Sequence, residues 1–314
     1  MSSTEKEPVV KPAKKRPGRP KKVNINPDIK LEGVCANGFI ENSVMELIYY
    51  NPSPLKKVVS FFKSMNVRDL TFKFYTNKAV ITTTDHLNKS DIIVEIDGNK
   101  MLRYYCKKEF SITIDPENMK RVFHLVNKEC EKIIFYSYEG SEFSSFNVMV
   151  DCVAELGTDS NHTINLINKG DNGNKKLPDV QKYPLLMSIP SKTWKHYVNH
   201  IYVLADEFTI QHLANKNETS LKYTAANQKI SNTVVLHNMK KGITIKYNNE
   251  KNDLFMTGIR CEYCKPLSSI LISEFIIIRV SESEKINFEA DINGGECVIN
   301  VFTEIIPIAK NFGK

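Results

Sequence analysis

Two spacings in this chain are of the kind that reactive chemistry uses. Cys261-Glu262-Tyr263-Cys264 is a CxxC, the spacing of a redox dithiol or of half a zinc site. No second CxxC or nearby His pair completes a metal set, and no thioredoxin-like strand–helix–strand pattern surrounds it. The competing reading is two buried thiols on a helix. His196 and His200 stand four residues apart, which places both imidazoles on one helix face, but the intervening Glu of a zincin motif is missing. GxxxxGK[ST], GxGxxG and GxSxG do not occur, so ATP hydrolysis, dinucleotide binding and serine-esterase chemistry lack support. The expectation is a protein without catalytic residues, metal or cofactor.

The remaining chemistry is charge. Of the formal net charge of +7, residues 1–24 supply +6, with Lys6, Lys11, Lys14, Lys15, Arg16, Arg19, Lys21 and Lys22 against Glu5 and Glu7. The rest of the chain nets only +1. Any nucleic-acid surface there depends on where the charges sit, and a near-neutral body argues against a tight grip on phosphates. Lys14-Lys15-Arg16-Pro17-Gly18-Arg19-Pro20-Lys21-Lys22 resembles an AT-hook, a short segment that places arginine in the narrow A·T minor groove. Pro17 interrupts the usual Arg-Gly-Arg-Pro core. A nuclear-import signal and a generic polybasic tail remain alternative readings of the same residues.

A chain of 314 residues has room for about two domains. Its 41% hydrophobic and 25% charged residues are ordinary for a globular protein. No apolar run approaches the ~20 residues of a membrane helix, and the charged start has no apolar core of a secretory signal. Cys35, Cys106, Cys130, Cys152, Cys261, Cys264 and Cys297 are scattered and odd in number, which fits a reducing compartment.

The elements that must position these charges alternate between two periods. Leu55, Val58, Val59, Phe62 and Met65 recur at helical spacing, with Lys56, Lys57, Ser60, Lys63 and Ser64 elsewhere on the cylinder. A second helix is expected over 116–130. Asp115 stands at its N-cap, Pro116 at its first position, and Met119, Val122, Phe123, Val126 and Cys130 form its stripe. Pro190-Ser191 opens a third helix, with Trp194, Tyr197, Val198 and Ile201 inward and Lys192, Lys195, His196 and Asn199 outward. A fourth is expected over 260–272.

Strand-like runs follow the first helix at 70–75, 79–84 and 92–96, and the second at 132–138, 145–150 and 162–167. In the second half they lie at 208–213, 220–225, 233–237, 243–247, 254–259, 275–280, 285–290 and 297–305. Residues 168–181, NKGDNGNKKLPDVQ, read as a linker between two halves that share one grammar.

That order resembles the PCNA-type DNA sliding clamps. Ser53-Pro54-Leu55-Lys56-Lys57-Val58-Val59 looks like the opening of the family's first pore helix, and Thr82-Thr83-Thr84-Asp85-His86 like its acidic-then-histidine turn. Met187-Ser188-Ile189-Pro190-Ser191 looks like the strand-to-helix turn of the second domain, and Lys265-Pro266-Leu267-Ser268-Ser269 is the closest local match. The resemblance covers about residues 42–309. Departures from the family pattern suggest a divergent clamp like those of large DNA viruses.

The resemblance implies an α+β fold with two similar clamp domains per subunit, helices lining a pore, sheets outside, and a head-to-tail homotrimeric ring. The expected division is a basic arm over 1–40, clamp domains over 41–167 and 183–310, a connector over 168–182, and a tail over 311–314. The implied function is a processivity factor that encircles double-stranded DNA without sequence preference and tethers DNA polymerase and other replication or repair proteins. An ATP-dependent clamp loader is an expected partner, a membrane is not, and the setting is intracellular, at the site of DNA replication in a nucleus or a cytoplasmic viral factory.

The candidate DNA-binding residues of the body are Lys56, Lys57, Lys63, Arg68, Lys120, Arg121, Lys128, Lys192, Lys195, Arg260 and Lys265, joined by Lys15, Arg16, Arg19, Lys21 and Lys22 of the arm. Long basic side chains on helices provide position without base readout, although a solvated helix face reads the same way. By resemblance, partners would be captured at His86, Leu87, Leu177, Ile286, Phe302 and Ile305, and 145–150 of one subunit (Phe146, Val148, Val150) would pair with 233–237 of the next (Thr233, Val235, His237). The alternative reading is a DNA-binding or transcription-type factor whose basic arm is the main DNA contact.

Overall fold

Alternation of apolar and polar residues builds most of this chain into antiparallel strands, with four short amphipathic helices laid against them. The computed structural model describes residues 40, 42–127, 130–140, 145–152, 160–167, 179, 182–225, 231–248, 254–269, 273–283 and 285–306. The first half runs β1 (Ser43–Tyr50), α1 (Ser53–Ser64), β2 (Leu70–Phe74), β3 (Lys78–Thr84), β4 (Ser90–Asp97), β5 (Arg103–Cys106), β6 (Phe110–Ile114), α2 (Pro116–Leu125), β7 (Cys130–Tyr138), β8 (Ser145–Cys152) and β9 (Ser160–Asn165). The second runs β10 (Leu185–Pro190), α3 (Ser191–Leu204), β11 (Glu207–Leu213), β12 (Glu218–Thr224), β13 (Ser231–Leu236), β14 (Thr244–Tyr247), β15 (Leu254–Arg260), α4 (Cys261–Ser269), β16 (Phe275–Val280), β17 (Ile286–Ile292) and β18 (Cys297–Thr303).

Helix starts follow their sequence signals. The Asp115 carboxylate accepts the Glu117 N–H at 2.8 Å, and Pro116 sits where its missing donor costs nothing. This helix stops at Leu125, five residues short of the expected end, because Val126 turns extended at ψ 116°. Cys130 is buried as expected, but as the first residue of β7. In α1, Phe61 joins Leu55, Val58 and Phe62 inside. The sequence reading missed β1, β5 and β6.

The strand orders expose a repeat that residue identity hides. The first half forms β5-β1-β7-β8-β9 and contributes β4-β3-β2-β6; the second forms β14-β10-β16-β17-β18 and β13-β12-β11-β15. Each domain therefore has the same two sheets in the same order, with α1 matched by α3 and α2 by α4. One continuous apolar core lies beneath the helices of both domains, including Leu47, Phe61, Phe146, Trp194, Ile201 and Phe288.

The two domains are joined by strand pairing. β18 lies antiparallel to β4 in register from Thr303↔Ser90 to Cys297↔Ile96, fusing sheets of both halves into one of nine strands. The tip of the β17–β18 hairpin reaches into the first domain. There the Asp97 N–H donates to the Glu296 carbonyl at 3.0 Å and Lys100 Nζ to the Gly294 carbonyl at 2.9 Å. Gly295 suits this turn because its φ is +88°, in the left-handed region that a side chain disfavours. Of the connector expected over 168–182, only Asp179 and Lys182 are among the described residues.

Candidate functional site

The outward faces of the four helices carry the charge that the rest of the body lacks. Between them α1, α2, α3 and α4 hold eight bases, Lys56, Lys57, Lys63, Lys120, Arg121, Lys192, Lys195 and Lys265, against Glu117 and Glu262. That is a net +6 in a body that sums to +1 beyond residue 24. α1 packs on α2, α3 on α4, and α1 meets α4 across the domain junction, so the bases share one side of the molecule.

Individual roles differ. Lys57, Lys63, Arg121 and Lys192 are exposed. Lys56 donates from Nζ to the Val126 carbonyl at the end of α2, which makes it a tie between helices. Lys120 is 2.8 Å from Glu117 one turn earlier, and Lys265 lies 3.6 Å over the Tyr202 ring. One expectation is corrected here. Arg260 is the last residue of β15, facing Glu262 at 3.5 Å, and is not part of the helix. Arg68 donates to the His86 carbonyl at 2.6 Å, so it braces the turn between β3 and β4. Lys128 and the arm residues Lys15, Arg16, Arg19, Lys21 and Lys22 lie outside the described residues.

The expected partner residues gather where that turn meets the end of β18. Asp85 holds the turn by accepting the Lys89 and Ser90 N–H groups at 2.7 and 2.9 Å, leaving His86 and Leu87 exposed, Leu87 by 50%. The Glu304 N–H donates to the Lys89 carbonyl at 3.1 Å, and the two side chains form an ion pair at 2.7 Å. Phe302 stands on the sheet face away from the helices, in a small cluster with Val80, Ile93 and the partly buried Tyr75. Ile305 is half-buried against the main core, and the next residue, Ile306, exchanges two backbone hydrogen bonds with Gly258. Ile286 is a correction: it pairs with Thr303 but points into the core and is fully buried. Leu177 lies outside the described residues.

The expected subunit edge is also corrected. β8 is paired on both sides, by β7 and by β9, and Phe146, Val148 and Val150 are fully buried core residues. A strand whose backbone groups are used on both sides has none left for another chain. Among the described residues β9 ends the five-stranded sheet, with β5 at its other margin, and β6 ends the nine-stranded one. In the second domain β13 ends the four-stranded sheet opposite β15 and carries Thr233 and Val235. His237 is exposed one residue beyond its end.

The CxxC is a packing feature. Cys261 and Cys264 are buried in α4. Burial, with Asp206 and Glu207 nearby, pushes the Cys261 thiol up to about 12, and burial pushes Cys264 well above its ordinary value. Protonated, enclosed thiols are poor nucleophiles. His196 and His200 are exposed on α3, and among the described residues no group of three His, Cys, Asp or Glu side chains is arranged to hold a metal.

No known family model matches the chain. Over 287 residues it is 22% identical to an uncharacterized protein of African swine fever virus, in isolates from a Kenyan pig and a Namibian warthog, covering 88% of this chain and 93% of the viral protein. The crystal structure of proliferating cellular nuclear antigen from Entamoeba histolytica superposes with a TM-score of 0.70 at 14% identity, covering 84% of this chain and 99% of the other. With its doubled two-sheet domain, its four helices on one side and its strand-paired junction, this chain has the fold of the PCNA-type clamps.

Proposed function

We propose that the chain is the subunit of a DNA sliding clamp, a non-enzymatic ring that encircles duplex DNA and tethers a DNA polymerase and other replication or repair proteins to it. The observation that carries this reading is that β9 and β13 both end their sheets among the described residues. β9 and β13 occupy the same places in the repeat as β18 and β4, and β18 and β4 are the strands that join the domains. A second copy placed by the same pairing sets its β13 on the first copy's β9, and each copy then offers the same edge to the next. Three copies close the ring by analogy with the clamps, with the basic helices toward the hole.

Within the ring, Lys57, Lys63, Arg121 and Lys192 exchange between phosphates without reading bases, which permits sliding. Clients dock at Leu87, Phe302 and Ile305, where a short apolar anchor finds a rigid turn and an apolar cluster. Opening by an ATP-dependent loader and residence at an intracellular site of DNA replication, in a nucleus or a viral factory, belong to the same reading.

The test combines light scattering with DNA topology. The full chain is expected to be a trimer and, once loaded, to stay on closed circular DNA but run off linear ends. A monomer whose DNA binding disappears with residues 1–24 and ignores ends would replace the clamp with an arm-driven DNA-binding factor.

A further inference from the structure

The five-stranded sheet of the first domain has an apolar patch on its outer face, where the alternation predicts polar side chains. Register places Ile48, Ile134 and Met149 in one row across β1, β7 and β8, with Tyr136 beside them. These residues form a cluster separate from the core beneath the helices, and Ile48, Ile134 and Tyr136 are buried. The corresponding face of the second domain is mixed, with Leu186 and Ile277 among Ser188, Arg279, Asn287 and Glu289, and Arg279 bonds to Asn287 and Glu289 at 2.7 and 2.9 Å. Two domains with one strand order thus differ in what their outer faces are made to meet.

The partly buried apolar residues packed on the patch are Met149 and Ile40, and Ile40 precedes β1. Its N–H donates to Glu46 Oε2 at 3.0 Å, and Glu46 is itself 1% exposed on the same face, with Arg103 at 3.5 Å. Burial raises the Glu46 carboxyl above its ordinary value, as expected for a carboxylate enclosed at a packed margin. The sequence leading to Ile40 is Ile29-Lys30-Leu31-Glu32-Gly33-Val34-Cys35-Ala36-Asn37-Gly38-Phe39, with Ile29, Leu31, Val34 and Phe39 as large apolar side chains. Eleven extended residues span roughly 35 Å, against about 20 Å across five strands, so the segment is long enough to cross the face.

We propose that the outer face of the five-stranded sheet is the dock for this chain's own residues 29–39, which seats the basic arm on the side of the subunit opposite the helices. The arm then meets DNA from outside the helix-lined surface, as a second contact distinct from the bases on α1 to α4. This goes beyond the clamp reading and does not depend on ring closure.

Trypsin tests it on the full chain, because Lys22 and Lys30 bracket the boundary between arm and strap. Rates are normalised to the same bonds in a free peptide of residues 14–41. The bond after Lys30 is expected to be cut at least about tenfold more slowly than the bond after Lys22. Two variants, Leu31→Asp/Phe39→Asp in the segment and Met149→Glu on the sheet, are each expected to equalise the rates. Equal normalised rates in the unsubstituted protein overturn the proposal and leave the face to a second copy or another partner. Light scattering of the same samples reports ring closure independently, so the two readings fail separately.

Discussion

The Tyr49 hydroxyl donates to the Glu296 carboxylate at 3.1 Å, linking the first strand of one domain to the hairpin tip of the other. Tyr49 is 1% exposed, and burial together with the adjacent carboxylate drives its phenol well above the ordinary value, so it remains a donor at every working pH. Tyr49→Phe keeps the ring and removes the hydroxyl, which also accepts from Asn293 Nδ2 at 3.5 Å. A hydrogen bond to a charged group contributes more than a neutral one, so the expected loss is ~1–2 kcal/mol. Scanning calorimetry should show a melting temperature lower by a few degrees; an unchanged value would mean the junction does not use this bond.

Neighbouring lysines on α1 separate binding from stability. Lys57→Ala removes an exposed base and is expected to weaken duplex binding at low salt. The slope of log affinity against log salt should flatten by about 0.9 for the lost phosphate contact. Lys56→Ala removes the tie to the Val126 carbonyl and is expected to lower stability by ~1 kcal/mol with a smaller effect on the salt slope. Titrations of both variants at several salt concentrations would show whether the two lysines divide in this way.

The edges can be told apart from the core by substitution. Val235→Lys on β13 places a charge on a free edge and is expected to weaken self-association at least about tenfold, leaving far-ultraviolet circular dichroism unchanged. Phe146→Ala on β8 is expected to cost about 3–5 kcal/mol of stability, because its ring is enclosed between Phe72, Phe74 and Phe135. If Val235→Lys assembled as well as the parent at micromolar concentration, β13 would not be the joining edge.

His212 gives the fold a dependence on mild acid. Its ring is 1% exposed, shares a 2.8 Å hydrogen bond with Thr219, and packs 4.5 Å from Tyr247. Burial holds its pKa below the ordinary 6.5. As pH falls through 6.5 the unfolded chain takes up a proton that the folded chain refuses, so this group's contribution to stability is present above that pH and is lost below it. His212→Gln removes the effect. Melting temperatures of parent and variant, measured from about pH 7.5 to about pH 5, should converge or cross toward acid; a constant difference would show that His212 does not titrate in this window.

The sequence by itself determined the elements and the likeness. Helical spacing placed α1 and α3, Asp115-Pro116 marked the start of α2, and period-two runs marked most strands, because these signals lie within one element and act over a few residues. It also determined that net charge is small outside the arm. β1 was missed because Val44 to Tyr49 are buried almost without interruption, which erases the alternation that identifies a strand.

Only the tertiary structure decided which side each of these residues serves. Ile286 and Phe302 read alike as strand residues, yet pairing register turns one into the core and the other outward. Ser145–Cys152 looked like an edge until β9 was found beside it. Lys56 and Lys57 are adjacent bases, and the end of α2 claims one of them. Edge status, facing direction and the partner a charge engages are set by what lies next to a strand or helix in space, and those neighbours come from far along the chain.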